Sequence, residues 1–180
     1  MNKKKYLIMG LINIALDFWI LAVRGVSLES ILYCLCTSAL LVVGVTDWQT
    51  YEIPMGCNLF IGALGLIRLL TDLANLKEYL LGFVLVSGIL LLVYFLTKGE
   101  GIGGGDIKLM AAAGLLLGGP GILLAFLLGS IAGSVIHLSL MKLKGKGRKL
   151  AFGPYLAFGI FCAMLYGENI IDWYLAFCGF

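Results

Sequence analysis

The sequence predicts an all-α, polytopic membrane helix bundle of about seven spans (six to seven). Three observations carry that expectation. First, 61% of the 180 residues are hydrophobic and 13% are charged, with a mean hydropathy of +1.04. Soluble domains run at roughly 45–50% apolar and about 25% charged, so a soluble enzyme and a disordered chain are both excluded. Second, the apolar runs are continuous rather than alternating, which excludes a membrane barrel. About 110 apolar residues, at roughly 20 per span, supply five to seven helices. Third, the basic residues segregate to one side once the runs are threaded.

Span one is Tyr6–Val23 and span two is Ser30–Val45. Span three covers about Pro54–Leu70, with Pro54 expected in its first turn, where a missing N–H does no harm. Span four is Tyr79–Leu96. Span five begins near Ile107 and stops at the breaker Gly118-Gly119-Pro120-Gly121. That makes it short for a full crossing, as expected of a helix that starts late or enters from a protein-lined cavity. Span six is Ile122–Met141 and span seven is about Leu150–Tyr166. The tail Ile170–Phe180 is apolar and aromatic but too short to cross, so it is expected at an interface.

With the amino terminus in the cytoplasm, Lys3, Lys4, Lys5, Lys98, Lys108, Lys142, Lys144, Lys146, Arg148 and Lys149 fall inside. Only Arg24, Arg68 and Lys77 fall outside, a strong positive-inside bias. The Lys3–Lys5 start also suits a secretory signal, but no small-residue cleavage site follows it, which favours an uncleaved helix. Cys34, Cys36, Cys57, Cys162 and Cys178 contain no CxxC pair, so neither a disulfide scaffold nor a zinc ribbon is expected.

The threading places Asp47, just after span two, and Asp106, just before span five, at one depth on the cytoplasmic side. Gly101-Ile102-Gly103-Gly104-Gly105-Asp106-Ile107-Lys108 is too glycine-rich for a stable helix start. It leaves a segment without a side-chain wall, where an extended backbone could pair. The plainer reading is a flexible loop ending in an Asp N-cap. Asp47 could cap span two, although a carboxylate at a helix C-terminus meets the wrong end of the dipole. Two carboxylates held a few Å apart tend to share one proton. One is then a base for water and the other an acid for a carbonyl.

Asp47 with Ile53-Pro54, Gly103-x-Gly105-Asp106 with Lys108, and Phe152-Gly153-Pro154-Tyr155-Leu156-Ala157 together resemble the type IV prepilin peptidases, membrane aspartic proteases of the GxGD type. The resemblance runs from about Leu40 to Leu165. It implies a single membrane-embedded peptidase domain over residues 1–180, with residues 1–29 an additional amino-terminal helix before the core. It also implies that Asp47 and Asp106 are the catalytic pair and need no cofactor. The implied substrate is a prepilin or pseudopilin precursor, cut on the cytoplasmic side of a prokaryotic inner membrane just after its short basic leader. Met55 rather than Asn follows Ile53-Pro54, with Asn58 one turn on, and Ala151 precedes Phe152. These departures bear on substrate choice rather than cleavage. Larger relatives carry paired CxxC motifs in a cytoplasmic domain and methylate the new amino terminus. Those pairs are missing from this sequence, so methyl transfer is not carried over.

Around the pair, Gly103, Gly105, Lys108, Phe152, Gly153 and Pro154 are candidate substrate-binding residues. Phe152-Gly153-Pro154 could leave backbone groups near the site for substrate pairing, or simply start a helix. Glu52 and Glu100 could attract a basic leader, or be solvated loop charges. The basic run Lys142–Lys149 is expected to bind anionic lipid and fix topology. Asn13 and Asp17 share one helix face and suit interhelical hydrogen bonding. With one histidine and no cluster of cysteines or acids, no metal site is expected, nor is a nucleic-acid partner. Gly129-x-x-x-Gly133 permits close packing within the chain or between copies. The alternatives from other classes are a small proton- or cation-coupled transporter using Asp17, Asp47 and Asp106, and a non-enzymatic pilus or secretion assembly partner.

Overall fold

The computed structural model describes residues 3–144 and 151–179. Among them the elements are helices α1 (Lys3–Arg24), α2 (Leu28–Thr50), α3 (Met55–Thr71), a 3-10 turn (Leu73–Asn75), α4 (Leu76–Leu96), α5 (Gly104–Lys144) and α6 (Gly153–Cys178). Five helices are long and apolar enough to cross a membrane, and α3, at 17 residues, is shorter. The chain is thus a multi-pass, all-α bundle. Residues 145–150, which include the last five positions of the expected lipid-binding run Lys142–Lys149, lie outside the described residues.

The glycine–proline breaker acts as expected. Gly118 leaves the helical region (φ 74°, ψ 177°), a conformation that glycine reaches without penalty. The packing shows that α5 reverses there. Its first arm runs alongside α3 in the same direction, with Gly62 facing Ala112 and Gly65 pressed on Leu115. Its second arm runs against α6 in the opposite sense: Ala125 meets Gly159, Gly129 meets Tyr155 and Leu156, and Gly133 meets Phe152. Among the described residues the reversal divides the six helices into seven helical arms.

Glycines set these crossings. A Cβ on Gly129 would stand 2.8 Å from the Tyr155 carbonyl oxygen, and one on Gly159 would stand 2.8 Å from the Gly129 nitrogen. Neither backbone could approach with a side chain in the way. The α4–α5 crossing is built alike, from Gly82 against Gly114 and Gly118.

Helix ends differ from the sequence expectation. The α5 helix begins at Gly104, inside the glycine run read as unable to start a helix, so Gly104 and Gly105 share its first turn with Asp106, whose N–H donates to the Gly103 carbonyl at 3.1 Å. The α2 helix continues past Val45 to Thr50, where the Thr50 hydroxyl bonds the Thr46 carbonyl at 2.9 Å, and it ends at Tyr51 in the left-handed region (φ 58°). Pro54 stands just outside α3 in an extended conformation rather than in its first turn. Lastly, α6 runs unbroken through Gly167 to Cys178, so the tail continues the last helix instead of forming a separate segment. Nothing in Glu168–Phe177 breaks a helix, and Arg24 holds Glu168 at 2.9 Å.

The amino-terminal helix is held by polar groups. Asn13 Nδ2 donates to Asp17 Oδ2 and to Ser38 Oγ, both at 3.0 Å, which joins α1 to α2 as expected. At the end of the bundle opposite Asp47, Arg24 and Arg68 both pair with Glu29 (3.1 and 3.0 Å), and Tyr33 Oη donates to the same carboxylate at 2.7 Å. This network lines a cavity of about 280 Å³ that is remote from the aspartates.

Candidate active site

Asp47 lies in the last turn of α2, where the helix dipole is unfavourable for a carboxylate. The fold offsets this by setting the start of α6 against it. The Gly153 N–H donates to Asp47 Oδ2 at 2.9 Å, and only 5% of Asp47 is exposed. Position 153 has no room for a side chain: a Cβ there would stand 2.9 Å from Oδ2 and 3.0 Å from Cγ of Asp47. Phe152 begins the helix by accepting from the N–H groups of Tyr155 and Leu156, both at 3.1 Å, and Pro154 sits in the first turn. The Phe152-Gly153-Pro154 motif is therefore a helix start, with its central amide directed at an acid.

Asp106 lies in the first turn of α5 and is 8% exposed. The glycines before it serve separate close approaches. A Cβ on Gly103 would stand 3.2 Å from Asp106 Oδ2, and one on Gly105 would stand 3.0 Å from Ile53 Cβ. Asn58 Nδ2 donates to the Gly105 carbonyl at 3.3 Å, tying the first turn of α5 to α3.

Both aspartates open onto one cavity of about 280 Å³, which is also lined by Glu52, Lys108, Gly103 and Gly105. The charge on Asp47 acts on Asp106 across it. Such a volume holds several waters at about 30 Å³ each, or a short stretch of extended peptide. Tyr51 and Asn58 also line it. Sequence reasoning did not select either as a site residue, although Asn58 stands one turn beyond the Ile53-Pro54 motif. The Asn58 Oδ1 is buried with no hydrogen-bond partner among the described residues. Of the other candidates, the exposed Glu100, the half-buried Phe152 and Pro154 and the buried Gly153 lie off the lining; Phe152 packs near Gly133.

The arrangement suits general acid–base work on a bound amide. Two carboxylates face one open volume, Asp47 accepts the Gly153 N–H, and the glycine segment that opens α5 puts no side-chain wall beside them. It does not suit a relay of three acids, because Asp17 sits on α1 with Asn13 and Ser38 and does not line this cavity.

Comparison with known proteins fits this chemistry. The type IV leader peptidase family model matches residues 34–138, which hold both aspartates and the glycine loop. The prepilin leader peptidase/N-methyltransferase of Bacillus subtilis (strain 168) is 35% identical over 156 residues, 84% of this chain and 62% of that protein. The protein of the same name from Stutzerimonas stutzeri is 30% identical over 162 residues, 85% of this chain and 55% of that protein. The Aeromonas salmonicida protein is 40% identical over 83 residues, 45% of this chain and 28% of that protein. The chain thus spans between 28% and 62% of the length of these relatives. No solved structure matches it significantly.

Proposed function

The chain belongs to the type IV leader peptidase family, and from that premise we propose that it is a membrane aspartic endopeptidase that removes the leader from prepilin-like precursors. The observation that carries this reading is the convergence of Asp47 and Asp106, from separate helices, on one cavity. The reaction is hydrolysis of a peptide bond. One aspartate, ionised, takes a proton from a water lying between the pair, and that water attacks the scissile carbonyl. The other, protonated, polarises the carbonyl oxygen and supports departure of the amine. The substrate enters extended, since a helix hides its amides in its own hydrogen bonds. The junction between a polar leader and an apolar helix meets that need while the helix stays in the bilayer.

The aspartate end faces the cytoplasm of a prokaryotic inner membrane, with the amino terminus on the same side. The grouping of Lys98 and Lys108 near the aspartates, against Arg24 and Arg68 at the far end, supports this orientation. Glu52, exposed at the cavity, supplies negative charge for a basic leader. The proposal covers the peptidase step alone.

The test is purified protein mixed with a leader-bearing precursor, comparing wild type with Asp47→Asn and Asp106→Asn. Wild type yields the shortened product, and each variant loses about 100- to 10,000-fold in rate. Cleavage that survives either substitution at wild-type rate refutes the two-aspartate reading.

A further inference from the structure

The two aspartates do not stand in equivalent surroundings. Asp47 Oδ2 receives the Gly153 N–H at 2.9 Å at the opening of the 26-residue helix α6, whose amino-terminal dipole favours negative charge there. A backbone N–H donates whatever the pH and cannot accept, so this contact is strongest when Asp47 is ionised. Asp106 stands across the cavity in the first turn of α5, where the helix dipole also favours charge and the Gly103 backbone approaches its carboxylate; what sets Asp47 apart is the 2.9 Å Gly153 N–H. Glu52, Lys108 and Tyr51 also line the cavity. The Gly153 contact is also enforced sterically, since any side chain at position 153 would run into the Asp47 carboxylate.

We propose that Gly153 is a positioning residue whose amide holds Asp47 as the ionised member of the pair, making Asp47 the base toward water and Asp106 the acid toward the carbonyl. The assignment rests on the peptidase reading above. In the step it describes, Asp47 takes a proton from water as the water oxygen bonds to the carbonyl carbon, and Asp106 gives its proton to the carbonyl oxygen. On collapse the C–N bond breaks. The leaving nitrogen takes the proton held by Asp47, and Asp106 recovers one from a hydroxyl of the adduct. Both aspartates return to their starting states.

The contact can be removed without adding atoms, by incorporating glycolate at position 153 in cell-free synthesis so that an ester oxygen replaces the N–H. Hydrogen bonds to charged groups are worth enough that kcat for a leader-bearing precursor falls about 10- to 100-fold, with KM within about twofold of wild type. The acid limb of the pH–rate profile moves to higher pH, because the anion has lost its donor. Gly153→Ala, which keeps the N–H but crowds the carboxylate, loses at least as much rate. An ester variant with unchanged kcat and an unmoved acid limb overturns the assignment, whether or not Gly153→Ala folds. Asp47→Asn and Asp106→Asn run in parallel: cleavage by either at wild-type rate overturns the underlying two-aspartate reading. If both are inactive while the ester variant is fully active, only the role of Gly153 fails.

Discussion

Gly82→Ala is the most demanding test of the packing that carries Asp106. A Cβ on Gly82 overlaps the carbonyl oxygen of Gly114 and stands 2.6 Å from the carbonyl carbon and 2.9 Å from the Cα of Gly118. Carbon–carbon contacts are comfortable at about 3.5–4.0 Å, so α4 has to withdraw from α5 by roughly 1 Å. Every atom in the way is main chain, and none can swing aside. Among the long helices α4 packs mainly on α5, so no other interface compensates. Gly88→Ala on the same helix is the control, because its Cβ would meet only Val84 Cγ1, at 3.8 Å. Both substitutions gain the same helix propensity, so the difference between them isolates the overlap, about 1–3 kcal/mol. At about 2–4 °C per kcal/mol for a chain of this size, Gly82→Ala should melt roughly 2–12 °C below Gly88→Ala in detergent. Equal melting temperatures refute the backbone-on-backbone crossing.

Three further outcomes are expected. Asn58→Leu removes the amide that ties α3 to the Gly105 carbonyl, and should lower kcat/KM about 2- to 10-fold in steady-state kinetics; an unchanged value contradicts the tie. Glu52→Lys should raise KM for a basic-leader precursor several-fold at low salt and progressively less as salt increases, while Glu100→Lys, off the cavity lining, should do less. An unaltered KM in the first variant argues against a leader-attracting charge. Hydrogen bonds from Asn75 and Tyr79 hold the Asp72 carboxyl below its ordinary value of 3.8. A lowered folded-state value stabilises the protein above 3.8, and that contribution disappears as pH falls through the folded value. Acid unfolding should therefore be less steep in Asp72→Asn than in wild type over about pH 5 to 2, and identical curves exclude the contribution.

Much of the architecture was legible in local pattern. Continuous apolar runs marked the spans, and Gly118 with Pro120 marked the reversal, because backbone chemistry at those positions permits little else. Threading alone brought Asp47 and Asp106 to one depth, since each directly adjoins a span. The hydrogen bond between Gly153 and Asp47 could not be read this way. It joins residues 106 apart, and depends on how α6 settles against α2. The same holds for Asn58, whose partner, the Gly105 carbonyl, lies on a different element. The length of α6 was missed because an apolar stretch too short to span was read separately from the helix before it. In fact its charged residues, Glu168 and Asp172, line the far cavity, where Arg24 holds Glu168.

The glycine seam between the second arm of α5 and α6 has a consequence for tolerance to insertions. Gly129 and Gly159 meet backbone to backbone, so they act as a ruler that fixes how high α6 stands above Asp47. One residue added between Gly153 and Gly159 would turn the helix opening by about 100° and displace it by about 1.5 Å, carrying the donor off its acid. The same addition beyond Gly167 would leave that registration intact. The spacing between these two glycines is thus itself a functional dimension of the chain.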